Sequence, residues 1–433
     1  MTGDPTELTA SEALPRLRDG SLSAECYASA CVARIAERDP LVHAWAHFDP
    51  DQVIEQARAL DRRDVRGPLH GLPVGVKDIM LTLDMPTQYN SDIYAGAHPK
   101  IDAGCVSLLR AAGALVLGKT ETVEFGATGR SAPTRNPHDL ERTPGGSSSG
   151  SAAAVADFHV PLALGAQTGG SVIRPAAYCG VFALKPTWGL VGREGVRPFA
   201  PSLDTIGWFA RSADDLALLY DVFDPEPAAL PAFAIARSRI GLCRSPAWGQ
   251  VDDATTEALA TVAGRLRAAG AEVAELTLPA PFDDLIRLHG LIMGAEGRFS
   301  VLPEYRLAPE KLHPNLRALA ENAAGVTREA LRDGYVVADA CRAAFDRIGA
   351  DFDAILTPSV IGEAPMGLAF TGAMTCNAIW SLLHTPCVNL PGVVGSSGMP
   401  VGLTLTGPRY ADRKLMAVAA AIAPLLSTPS PAR

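Results

Sequence analysis

Short, largely apolar runs alternate with helix-like segments along most of the 433-residue chain. Residues 72–76, 114–117, 160–165, 240–243, 272–276, 353–356 and 401–405 read as strands. Residues 103–112, 149–156, 172–178, 212–221, 252–269, 327–348 and 412–425 read as helices between and after them. Two further amphipathic helices, 23–38 and 51–63, come first, and Asp39-Pro40 closes the earlier one. This alternation implies an α/β fold with a large, mixed, mostly parallel central sheet covered by helices on both faces. One idiom recurs: in Leu109-Arg110-Ala111-Ala112-Gly113-Ala114 and again in Leu266-Arg267-Ala268-Ala269-Gly270-Ala271, a helix closes at glycine and a strand follows. At roughly 150 residues per domain the length would allow about three. No linker divides the chain, so residues 1–433 are expected to form one domain, with a helical segment at 1–64. A variable subdomain contributing the substrate pocket is expected over about 225–380, after the Pro- and Ala-rich stretch 223–235.

Composition narrows the partners. The chain is 48% hydrophobic and 20% charged, enough for a sizeable core. Its net charge of −9 argues against nucleic acid, which asks for a basic surface. No apolar run reaches the roughly 18 residues of a membrane span, since Asp157 and His159 interrupt the run at 152–165, and residues 1–7 are acidic with no signal core. No membrane association is therefore expected. Eight scattered cysteines without a CxxC pair give neither a disulfide scaffold nor zinc spacing. Reduced thiols, a cytoplasmic location and no metal follow as expectations.

Three motifs compete for the chemistry. Gly113 to Thr120 matches the phosphate-loop pattern G-x-x-x-x-G-K-S/T, which would make the chain an ATPase. The residues between its glycines, Ala-Leu-Val-Leu, form a strand rather than an open loop, and a helix precedes them. Gly146-Ser147-Ser148-Ser149-Gly150 matches the G-x-S-x-G nucleophile elbow, but the residues before it are loop-like where a strand is required. The third joins Gly145 to Ser151, Thr168-Gly169-Gly170-Ser171-Val172-Ile173-Arg174-Pro175, and Gly71 to Asp78. A strand runs into Gly169-Gly170 and a helix begins at Ser171, so free N–H groups there suit an oxyanion. Ser171 can then be a nucleophile, and it needs a base. No histidine stands beside an aspartate in an equivalent turn. Lys77, after Leu-Pro-Val-Gly-Val, would lose its charge on burial and could serve.

These strings resemble the amidase signature family. Gly145 to Val155, Gln167 to Gly180, and the interval between Ser147 and Ser171 match its core, and Lys185-Pro186-Thr187, Ser202-Leu203-Asp204-Thr205 and Asn389-Leu390-Pro391-Gly392 add to it. The resemblance runs over about 65–220 and 385–425. It implies the family's fold and a Ser–cis-Ser–Lys triad with Ser171 as nucleophile. Ser147 would be the bridging hydroxyl after a cis peptide at Gly146, and Lys77 the ultimate base. It further implies an oxyanion hole from the N–H groups of Thr168, Gly169, Gly170 and Ser171, a supporting hydrogen bond from Ser148 to Lys77, and no metal or cofactor. The implied reaction is hydrolysis of a small carboxamide to carboxylate and ammonia or amine through a seryl acyl-enzyme. The string around Ser171 is most similar to malonamidase-like members, in which the arginine at the position of Arg174 contacts a substrate carboxylate. The alternatives are a glutaminase like the amidase component of a tRNA-dependent amidotransferase, which would need partner subunits, and a biuret- or ureido-type hydrolase. A homodimer is left open. Gln167 departs from the aspartate that many members carry there. Trp188, Trp208 and His384 are expected in the core or pocket wall.

Overall fold

The computed structural model describes residues 4–426, so the first three residues of the acidic opening segment lie outside it. Among the described residues, eleven strands form one sheet. In chain order they are β1 (Trp45–Phe48), β2 (Pro73–Lys77), β3 (Leu115–Thr120), β4 (Leu162–Gln167), β5 (Phe182–Lys185), β6 (Thr205–Ala210), β7 (Arg239–Cys243), β8 (Glu272–Leu276), β9 (Ala354–Pro358), β10 (Cys387–Val394) and β11 (Pro400–Thr406). Their order across the sheet is β1-β3-β2-β4-β6-β5-β10-β11-β9-β7-β8.

The fold is α/β with a mixed sheet, but the mostly parallel expectation is corrected. Only β2–β3, β2–β4, β7–β8 and β7–β9 are parallel. They form two blocks, β3-β2-β4 and β9-β7-β8, on either side of an antiparallel centre. Helix-linked parallel strands announce themselves as alternation. The central strands β5, β6 and β10 do not, because loops or a single buried helix connect them to their neighbours. Strands β7, β8 and β9 fall within 225–380 and continue the same sheet.

Two buried helices set up the site. Helix Ser149–Ala156 has alanine or another small residue at nearly every position and is buried all round. Its Gly150 sits so close to the chain that a Cβ there would lie 2.2 Å from the Ala44 carbonyl oxygen. Helix Ile173–Cys179 is also entirely buried and ends at Gly180 in the left-handed region. Helices Leu285–Leu307, Arg328–Ala350 and Thr375–Leu382 pack around a second apolar cluster that includes Ile292, Phe345 and Trp380. No helix among the described residues is long and apolar enough to cross a membrane.

Candidate active site

Strands β2 and β4 are parallel neighbours, so their carboxyl ends leave the same edge of the sheet. Lys77 is the last residue of β2 and Gln167 the last of β4, and Thr168-Gly169-Gly170 follows at once. Strand β6 pairs antiparallel with β4, Gln167 opposite Thr205, which brings Asp204 to the same edge. The carboxyl edge of parallel strands is where α/β proteins place their ligands.

Lys77 is buried, with 1% exposure. Its Nζ lies 2.8 Å from Ser147 Oγ and 3.3 Å from the Ala166 carbonyl. Burial pushes the amine down to about 7, with Arg174 acting in the same direction and Asp204 against it. The Gly146–Ser147 peptide is cis. Ser147 Oγ donates to the Gly126 carbonyl at 2.8 Å. The Ser148 N–H reaches the Ser171 carbonyl at 3.4 Å, which joins the two serine segments. Ser171 lines a cavity of about 450 Å³, walled also by Gly169, Arg174, Phe199, Met293 and Met374 among others. A second cavity of about 230 Å³ lies on the Lys77 side and shares Gly126, Thr168 and Phe199 with the first.

The turn itself is held from outside. The Thr168 hydroxyl donates to Asp204 at 2.5 Å, and Asp204 also accepts the N–H groups of Phe199 and Ala200. The backbone N–H groups of Thr168, Gly169, Gly170 and Ser171 have no acceptor among the described residues. Gln167 replaces a carboxylate without losing its acceptor role: its Oε1 accepts from Val172 N–H at 2.9 Å and Ile173 N–H at 3.0 Å.

Two supporting residues sit differently from expectation. The Ser148 hydroxyl bonds the main chain of Ala166, not Lys77; both side chains converge on the Ala166 carbonyl. Arg174 lines the cavity, but its guanidinium donates to the Gly146 carbonyl, at 3.2 Å from Nε and 2.6 Å from Nη2, and to the Gly372 carbonyl at 2.5 Å. It is buried, and that burial lowers it to about 10.

Within the phosphate-loop match at 113–120, Leu115–Thr120 is strand β3, and Lys119 pairs with Asp78 at 2.9 Å. Trp208 is core, while His384 stacks on Trp188 with ring centroids 4.6 Å apart. Sequence reasoning missed His289 and Ser381, which both touch the turn. Both helices carry other polar residues, so the sequence held no signal that singled these two out. Among the described residues no group of three or more His, Cys, Asp or Glu is placed to hold a metal ion.

A family model described as Amidase matches residues 27–416. The chain belongs to the amidase family. The A-subunit of glutamyl-tRNA(Gln) amidotransferase from Chloroflexus aggregans is 34% identical to it over 464 residues, covering 95% of each chain. A crystal structure of an amidase superposes with a TM-score of 0.89 at 29% identity, over 97% of this chain and all of the other. The A-subunit of the Thermotoga maritima glutamyl-tRNA(Gln) amidotransferase gives 0.83 at 27% identity over the full length of both. This amidase is accordingly an enzyme that hydrolyses an amide C–N bond.

Proposed function

We propose that this amidase hydrolyses a primary carboxamide through an acyl-enzyme on Ser171, with Ser147 and Lys77 as its proton path. The observation that carries the reading is the buried, weakly basic Lys77 amine 2.8 Å from Ser147 Oγ, beside the turn that carries Ser171. As Ser171 Oγ attacks the carbonyl carbon, its proton passes to Ser147 and the Ser147 proton to Lys77. The N–H groups of Thr168, Gly169, Gly170 and Ser171 face the carbonyl oxygen as it gains charge. Collapse breaks the C–N bond, and the proton returns along the same path to the leaving nitrogen, which departs as ammonia. Water then attacks the ester by the same route, releases the carboxylate and restores Ser171. Ser148 fixes the Ala166 carbonyl against which Lys77 rests. Arg174 fixes the carbonyl of the cis peptide that presents Ser147.

Of the readings open from sequence, the relatives favour an amidotransferase-type glutaminase working with partner subunits over a free-standing small-amide hydrolase. In that reading L-glutamine is the amide and the ammonia goes to a partner's acceptor. One observation keeps the small-amide reading alongside it. Among the described residues, Arg174 is the only charged side chain lining the Ser171 cavity, so no carboxylate there meets the α-ammonium of glutamine. The walls contributed by 285–320 and 369–375 support the expectation that the middle of the chain sets specificity. A cytoplasmic enzyme with reduced thiols remains part of the proposal; all eight cysteines are free.

The test is ammonia release from L-glutamine, malonamate, biuret and propionamide by the wild type, Ser171→Ala and Arg174→Ala. Ser171→Ala is expected to lose all turnover and keep its fold. Undiminished turnover by Ser171→Ala defeats the mechanism. Arg174→Ala should lose activity on every amide, because the Gly146 carbonyl is released. A loss confined to malonamate would return Arg174 to the role of a substrate-carboxylate contact.

A further inference from the structure

The peptide plane links each carbonyl to the next N–H: in a trans peptide the two point in opposite directions. Whatever fixes the carbonyls of residues 168–170 therefore aims the N–H groups of residues 169–171. All three carbonyls are held. The Gly170 carbonyl accepts from Arg174 N–H at 2.9 Å, within the start of the helix. The other two are held by side chains from distant elements. His289 Nε2, on helix Leu285–Leu307, lies 3.0 Å from the Thr168 carbonyl oxygen. Since a carbonyl only accepts, that nitrogen carries the hydrogen. Ser381 Oγ, on helix Thr375–Leu382, donates to the Gly169 carbonyl at 2.7 Å. Gln167 Nε2 donates to Ser381 Oγ at 3.0 Å, which leaves the hydroxyl hydrogen for Gly169. His289, Ser381 and Gln167 are each at most 1% exposed. The turn is also clasped sterically, since a Cβ on Gly169 would lie 2.4 Å from Met374 Sδ and 3.2 Å from His289 Cε1.

We propose that His289 and the Gln167–Ser381 pair are positioning residues, which anchor the Thr168 and Gly169 carbonyls and so point the Gly169 and Gly170 N–H groups into the Ser171 cavity. This rests on the reading of residues 168–171 as the oxyanion turn. Both anchors come from outside the stretches that carry the family strings. The part of the chain that shapes the substrate pocket therefore also sets the aim of the catalytic turn. Gln167 suits the task better than a carboxylate: one end accepts two N–H groups, and the other donates to the serine.

A fluorophosphonate probe tests this without knowledge of the natural amide. Its phosphonyl oxygen needs the same donors while Ser171 attacks phosphorus and fluoride leaves. Labelling is followed by intact mass against probe concentration, giving kinact and KI, with folding checked by circular dichroism. Ser381→Ala and His289→Leu are expected to lower kinact about tenfold or more, with KI within about twofold of the wild type. His289→Gln keeps an N–H donor at similar reach and should recover kinact to within about threefold of the wild type. The acid limb of the pH profile should stay in place, because neither residue touches Lys77. Folded Ser381→Ala and His289→Leu proteins that label at the wild-type rate overturn the inference. If His289→Leu does not fold, His289→Asn, which draws the donor back, takes its place in the same comparison. Failure of the underlying reading looks different: wild type unlabelled at Ser171, or Ser171→Ala labelled equally well.

Discussion

Lys77 carries a sign that can be measured twice. Its ordinary value of 10.5 is lowered to about 7, burial being the main cause. As the proposed base it works only without its proton, so kcat/KM should rise from acid to neutral pH with a midpoint near 7 and then level off. Between about 7 and 10.5 the unfolded chain keeps a proton that the folded chain has released. The unfolded state then binds more protons, and stability rises with pH through that window. Lys77→Met removes this dependence. It should cut turnover by about 10²–10⁴-fold. It should also raise the urea midpoint most at about pH 6 and progressively less toward pH 10. A midpoint difference that does not shrink with rising pH would show that the amine is not the buried, proton-poor group described above.

At the scale of elements, two glycines make opposite predictions. Gly150 lets helix Ser149–Ala156 lie against the chain, its missing Cβ only 2.2 Å from Ala44 O and 2.4 Å from Glu121 N. Gly150→Ala should cost about 1–3 kcal/mol in denaturant unfolding. Gly264 lies inside helix Asp253–Ala268 with open space around it. Gly264→Ala should stabilise by about 0.5–1 kcal/mol. Denaturant midpoints check both. The same physics explains what the sequence disclosed. Strands β2, β3, β4, β7, β8, β9 and β11 show as apolar runs beside helices. Strand β1 is only four residues long, β5 is equally short and runs into Pro186, and β10 is broken by Pro391 and Gly392, where the register shifts. Strand β6 carries Gly207, over which Leu184 O lies 2.4 Å from an added Cβ, so its spacing serves a close approach rather than a pattern. At the candidate site, Lys77, Ser147 and Ser171 stand in strings whose residue types point to the proposed chemistry. His289 and Ser381 are polar residues among several in their helices, and only the folded chain shows that each is buried and which carbonyl it meets. Arg174 was legible as a cation near Ser171, but its reach left several oxygens open, and the Gly146 and Gly372 carbonyls are the ones it meets.

For the whole molecule, one sheet threads residues 45 to 406, and the strands that hold the site are separated from β7–β9 by β5, β6, β10 and β11. Pocket, proposed proton path and turn therefore depend on segments drawn from both halves of the chain. This arrangement also sorts the six lysines. Lys77, Lys119 and Lys185 stand in strands β2, β3 and β5 with at most 1% exposure, while Lys100, Lys311 and Lys414 are exposed. Native acetylation should add three lysine acetyl groups by mass and spare turnover, and unfolding first should raise that number to six. Any chemist wishing to tether this enzyme to a resin through its lysine amines would find that the attachment points are all on the rind, and that the amine the proposed mechanism uses has been kept out of reach.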